Sequence, residues 1–184
     1  MVKTLLIAFF ISCTTLGAFS QTKSLPQLSV GGEFGLPVGY ISSVYGSIFG
    51  ASAKLEIPVS KAPLFLTITT GISAYVVKLD YVYPANATVE TNIPPLIYIP
   101  VEVGAKYYFS KIGYFEGDIG ISTNANSDVT NDKQAFIFAP IVGFSAPTNK
   151  HKATVDICLR YETRVVSDQY INQIALRVAY RFGI

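Results

Sequence analysis

Charge parity constrains this chain more than any motif does. Twelve charged residues fall in segments where apolar side chains recur at every second position: Glu33, Lys54, Glu56, Glu102, Lys106, Glu116, Asp118, Asp156, Arg160, Glu162, Arg177 and Arg181. Within each segment the charges share one parity, and the other parity carries none. Five segments hold more than one charge, giving six coincidences that free phase would produce roughly once in 64. A period of two with one charged and one apolar face is the pattern of a strand whose two sides meet different surroundings. The uncharged parity has one conspicuously polar member, Thr70.

Eight such segments follow residue 21. Three are clear: Ile97 to Phe109, Thr154 to Tyr161, and Gln173 to Phe182. Weaker versions run through 28–38, 49–58, 64–76, 114–123 and 135–146. Most have about the 9–11 residues a tilted strand needs to cross a bilayer. Three connections are tight turns: Ser60 to Pro63, Ser110 to Gly113, and Pro147 to His151. The other four are longer: Gly39 to Ile48, Val77 to Pro95, Asn124 to Gln134, and Thr163 to Asn172. Alternating short and long connections predict an all-β, eight-stranded, antiparallel up-and-down transmembrane β-barrel with short periplasmic turns and four external loops. Pro100 and Pro140 sit inside predicted strands, where each removes a ladder donor; they mark bulges or a local change of phase. The sixth strand is ambiguous, because Phe136, Phe138, Val142 and Phe144 hold one parity and Ile137 and Ile141 the other.

A soluble lipocalin-like barrel has the same period with its greasy face inward, so composition has to choose. Half of the 184 residues are hydrophobic, 14% are charged, and mean hydropathy is +0.39. A water-facing exterior needs more charge, since ordinary soluble domains carry about 25%. The chain has no Trp and therefore no Gly-x-Trp opening. Aromatics crowd strand ends: Tyr107, Tyr108, Phe109, Tyr114 and Phe115 flank one turn, and Tyr180 and Phe182 lie near the end, as an interfacial girdle requires. Disorder is excluded by the apolar content. A net charge of +2 gives no footprint for nucleic acid. Past the N-terminus, no apolar run is long enough for a spanning helix.

Residues 1–20 read as a signal peptide and residues 21–184 as the outer-membrane β-barrel domain. Lys3 precedes the apolar run Leu5 to Ile11, and Ala18-Phe19-Ser20 places small residues before a cut at Gln21. Cys13 follows Phe10-Ile11-Ser12, a loose match to a lipidation site, and is expected to leave with the signal. Cys158 then stands alone, so no internal disulfide is expected.

Four stretches resemble a known family: Leu28 to Gly39 (LSVGGEFGLPVG), Gly50 to Pro58, Pro100 to Phe109 (PVEVGAKYYF) and Ile174 to Phe182. They are similar to the first, second, fourth and closing strands of the small outer-membrane β-barrel domain proteins of Gram-negative bacteria, in the form abundant in Bacteroidetes. The likeness covers residues 25–184. It implies an outer-membrane location and contact with outer-membrane lipid. It also implies delivery by the outer-membrane assembly machinery through the C-terminal strand. The chain departs from the pattern at its end, where Gly183 and Ile184 follow the aromatic Phe182; Ile184 keeps the apolar phase.

Residues able to carry chemistry are sparse. The single histidine, His151, sits in a predicted periplasmic turn, away from any nucleophile. Cys158 has interior parity with no base beside it. Asn124 to Asp132 offers oxygen ligands but lacks the Gly and bidentate Glu of an EF-hand loop. Asn86-Ala87-Thr88 fits a glycosylation pattern that a bacterial envelope leaves unused. Glu116 and Asp118 could suit a glycosidase, but an interior charge pair explains them. The sequence therefore gives no catalytic, cofactor-binding or metal-binding residue, no cofactor, no nucleic-acid partner and no enzyme activity. Seven interior acids against five bases predict a packed polar lumen. The expected function is that of a monomeric structural or surface-interaction barrel whose ligand the sequence does not name. The alternatives are a narrow channel or transporter and, further off, a soluble ligand-binding barrel.

Overall fold

Period-two segments bounded by Gly, Pro, Ser and Asn become strands because alternate side chains point to opposite faces. The computed structural model describes residues 25–59, 63–78, 95–126, 134–148, 153–166 and 169–184. Eight strands follow in order: β1 Gln27–Val38, β2 Tyr45–Pro58, β3 Leu64–Val77, β4 Leu96–Tyr108, β5 Gly113–Asn124, β6 Gln134–Pro147, β7 Thr154–Val166 and β8 Gln169–Gly183. Each pairs antiparallel with the next. β8 returns to β1, from Gln27 opposite Gly183 to Val38 opposite Asn172, and closes the barrel. Closure leaves no sheet edge, the condition for strands to stand in hydrocarbon. Ile184 carries the seam one step further, donating its N–H to the Pro26 carbonyl at 2.9 Å.

All twelve charges predicted to share an inward face do so, and eleven of them are buried. The opposite face is apolar and open: Val101, Ile119, Phe138 and Leu176 are each about half exposed. Thr70 lies on that outer face, and its hydroxyl donates to the Pro100 carbonyl at 3.0 Å.

Neither proline makes a bulge or shifts the phase. The β3–β4 ladder pairs Thr70 with Val101 and resumes at Ser73 with Tyr98; the β6–β7 ladder pairs Phe138 with Thr163 and resumes at Ile141 with Arg160. Register is unchanged across both gaps. Each proline interrupts pairing on one side while the other side continues, at Pro100 with Ser122 and at Pro140 with Gly117. In β6, the Phe parity faces outward and Ile137 and Ile141 face the lumen.

Three expectations change. Tyr107, Phe109, Phe115 and Tyr180 form an outer aromatic belt at the end with the chain termini, with the Phe109 and Phe115 rings 4.6 Å apart. Tyr108 and Tyr114, however, have inward parity and enter the lumen. The connection expected at Gly39 to Ile48 shrinks to a 3-10 turn, Gly39–Ser43, and Val44, because β2 starts at Tyr45. The loop expected at Thr163 to Asn172 is mostly strand, leaving only positions 167 and 168 between β7 and β8. There, polar residues that look like loop extend a hairpin: the Thr163 hydroxyl meets the Asn172 side-chain oxygen at 2.9 Å, and Gln173 faces the lumen. The strict short–long alternation therefore holds for two of the four connections at that end.

An apolar exterior makes a direct prediction. Val101→Arg, in the middle of the outward band of β4, should cost about 2–4 kcal/mol of folding stability in lipid vesicles. Asn126→Arg, beyond the end of β5, should change stability by less than about 0.5 kcal/mol. Equal, small effects in urea titrations would show that Val101 does not face hydrocarbon.

Candidate functional site

The lumen is a stack of paired charges, built because inward parity on neighbouring strands brings opposite signs to the same height. At the end holding the chain termini, Lys106 donates to Glu56 at 2.8 Å and to Asp156 at 3.0 Å. Arg181 bonds the other Glu56 oxygen at 3.0 Å and lies 3.6 Å from Asp156. This quartet balances its own charge. Tyr108 and Tyr114 floor it: the Lys106 ammonium stands 3.9 Å from the Tyr114 ring centroid, and Arg181 donates to the Tyr108 hydroxyl.

The middle layer is larger. Lys54 pairs with Glu116 and lies 3.7 Å from Asp118, whose other oxygen accepts from the Thr67 hydroxyl at 3.1 Å. Arg160 bridges Glu102 at 2.5 Å and Glu162 at 2.6 Å. To one side, Arg177 donates to Ser52 at 2.8 Å and Ser29 at 3.2 Å, while Ser52 donates to Glu33 at 2.5 Å. Glycines make room for these groups. A Cβ on Gly104 would collide with an Asp118 oxygen, and one on Gly143 would fall 2.6 Å from the Tyr114 ring.

Above this lies a residue the sequence reading left out. Arg164 is fully buried, pairs with Glu162 at 2.7 Å, donates to Ser73 at 3.0 Å, and also donates to the Tyr75 hydroxyl. Its guanidinium lies 4.8 Å from the Tyr98 ring centroid and 5.4 Å from that of Tyr75. Among the described residues, six interior bases therefore face seven acids. Arg164 has the parity of Arg160 and Glu162, so carrying period two past Thr163 finds it. An apolar lid covers it: Ile41, folded in from the 3-10 turn, packs with Tyr45, Ile48, Tyr75, Leu96 and Tyr98.

The interior void beside Glu102, Thr69 and Arg164 measures about 10 Å³, room for roughly one water. Packed charges fill this lumen between a tyrosine floor and an aromatic lid.

The other candidates fall apart on geometry or lie elsewhere. Glu116 and Asp118 share Lys54, and Asp118 also lies 3.7 Å from Arg160, so both belong to the ion-pair network. Cys158 is buried against Tyr114 and Ile141. The Asn124 side chain accepts the Asn126 N–H at 2.9 Å in a local turn, while the rest of the acidic run, 127–132, lies outside the described residues. So do His151 and Asn86-Ala87-Thr88. Among the described residues, no three metal-ligating side chains converge.

Truncating the central bridge should be severe. Arg160→Ala leaves Glu102 and Glu162 buried without it and should cost about 3–5 kcal/mol. The exposed change Lys78→Ala should stay within about 0.5 kcal/mol. Similar unfolding midpoints for the two variants would refute a tightly coupled network.

No family model matches the chain, and no curated protein matches it. Solved structures do. Neisserial surface protein A superposes with a TM-score of 0.59 at 11% identity, covering 89% of this chain and all of the other. The attachment invasion locus protein Ail of Yersinia pestis gives 0.54 at 13% identity, over 88% of this chain and all of Ail. Ail determined in a phospholipid bilayer nanodisc gives 0.54 at 12%, over 87% and 100%. Together with an apolar exterior around a charged interior, these likenesses establish the fold as that of the small eight-stranded outer-membrane β-barrels of Gram-negative bacteria.

Proposed function

We propose that this chain is a surface-interaction barrel of the outer membrane, acting through the end opposite its termini and catalysing no reaction. The observation that carries this reading is the filled lumen. With charges paired along its length and Ile41 and Tyr98 in the lid, the barrel wall serves as an anchor. Function then falls to the connections, which a rigid scaffold displays.

Chain direction orients the barrel. A chain entering from the periplasm crosses outward first, so the termini and the connections 59–63, 109–112 and 148–153 face the periplasm. The opposite connections are chemically distinct. By sequence they hold Asp80, Glu90, Asp128, Asp132 and Asp168 against Lys78 and Lys133. Tyr40 and Tyr170 stand exposed at the strand ends there, and Tyr81 and Tyr83 lie in the longest connection. An acidic, tyrosine-bearing surface suits an uncharged or cationic partner and disfavours a polyanion. Ail has been crystallised with the heparin analogue sucrose octasulfate; this chain's charge balance argues against that ligand class.

Two measurements test the reading. In planar bilayers the purified protein should show no steady conductance; reproducible openings with selectivity altered by Glu102→Gln would make it a channel instead. In a Cys158→Ala background, cysteine at Asn126 should react with an impermeant reagent on intact cells, and cysteine at Ser110 only after the outer membrane is opened. The reverse labelling would invert the topology.

A further inference from the structure

The lipid-facing wall is not uniform. An outward-facing groove of about 350 Å³ runs over β5 to β8, lined by Phe115, Pro140, Val142, Leu159, Tyr161 and Ile174. That is about a dozen waters' worth of space, yet the lining is almost wholly apolar. The wall is also open beside the lining residue Pro140. Gly117 and Pro140 are register partners on adjacent strands, so two positions without a long side chain lie side by side. A Cβ on Gly117 would meet nothing within 4 Å. Pro140 also has no N–H to give β7, and pairing there lapses between Phe138 and Ile141.

A second asymmetry bears on what fills the groove. The three connections at the termini end carry Lys61, Lys111, Lys150 and Lys152 and no acid, whereas the opposite connections carry a net negative charge. Lys111 is exposed in the turn that leads directly into β5, whose Phe115 is one of the groove's lining residues. Among the described residues, it is the one basic side chain outside the lumen at that end. Charge complementarity therefore favours an anion at the end of the wall from which Phe115 enters the groove, and the groove is continuous with the lipid-facing band.

We infer that the Phe115–Pro140 groove and Lys111 form a site for one anionic phospholipid of the leaflet on the termini side, with an acyl chain lying over Gly117 and Pro140 and the phosphate at Lys111. This rests on the membrane reading above. The groove accepts a methylene chain because a flexible hydrocarbon follows its wall where water gains no hydrogen bonds. The lysine selects the headgroup, because an ammonium at the membrane surface attracts anionic lipid.

Photolabelling tests this on the intact protein. The barrel is reconstituted in phosphatidylethanolamine vesicles containing phosphatidylglycerol with a diazirine on one acyl chain, irradiated, digested and analysed by mass spectrometry. Adducts should concentrate several-fold on Phe115, Val142, Leu159 and Tyr161 over Val30, Phe49 and Ile72 on the far wall. Gly117→Phe, which fills open space, should bring the groove down to the far-wall level. Lys111→Glu, in an exposed turn, should lower the enrichment with phosphatidylglycerol and leave labelling by a phosphatidylcholine probe unchanged. Even labelling around the wild-type barrel, or enrichment unchanged in Gly117→Phe, would overturn the site. Enrichment unchanged in Lys111→Glu would overturn the headgroup assignment. Absence of adducts on every strand would overturn the membrane reading and the site with it.

Discussion

The pairing of charges across the lumen is the interaction on which the rest of the structure depends. Among the described residues, seven carboxylates and six bases stand inside a barrel whose outside is apolar, which reverses the arrangement of a soluble protein. In hydrocarbon a charged side chain has one low-energy place to go, the interior, and it remains there only when it is paired and hydrogen-bonded. The quartet of Lys106, Arg181, Glu56 and Asp156 meets that condition within one layer. Arg160 meets it by holding Glu102 and Glu162 together. Because the partners come from different strands, register is fixed by charge as well as by the pleat. A slip of one residue along β7 would turn Asp156, Arg160, Glu162 and Arg164 toward lipid together.

Closure and filling reinforce each other. Eight strands enclose a bore just wide enough for side chains, so the layers must interlock rather than stand apart. Gly104 and Gly143 show how little space remains, since neither could take a methyl group without striking Asp118 or Tyr114. The two ends are finished differently. Near the termini, tyrosine rings and hydroxyls meet Lys106 and Arg181 directly. At the other end the polar stack stops at Arg164, and the apolar lid of Ile41, Tyr45 and Leu96 takes over. A lid drawn from the first connection ties the β1–β2 turn to the core, so the display surface rests on a packed base.

Most of this fold was legible in the sequence, because parity is a one-dimensional record of a two-faced wall. The twelve charges, the outward band and the strand count follow from it. What the sequence hid follows from treating polar or unusual residues as punctuation. Thr163 to Asn172 looks like loop by composition, yet Arg164 and Gln173 are interior residues of a long hairpin. Tyr108 and Tyr114 look like girdle residues by neighbourhood, yet parity sends them inward. Pro100 looks like a strand breaker, but a barrel strand has two neighbours, and losing a donor on one side leaves the other ladder intact. The charge pairs themselves were beyond reach, because which acid meets which base depends on the stagger between strands that no single strand encodes.

The same reasoning locates where function can reside. A wall facing hydrocarbon must be apolar whatever the protein does, and a lumen full of charge must be paired whatever the protein does. Neither surface is free to encode a partner broadly. Information is left to places where those two demands relax: the connections, and defects in the wall. The connections divide by sign, with lysines at the termini end and a surplus of acids at the other. The wall has an open groove beside Pro140. Both departures exceed what closing a barrel requires, and a barrel selected for anchorage alone would have no physical need of either.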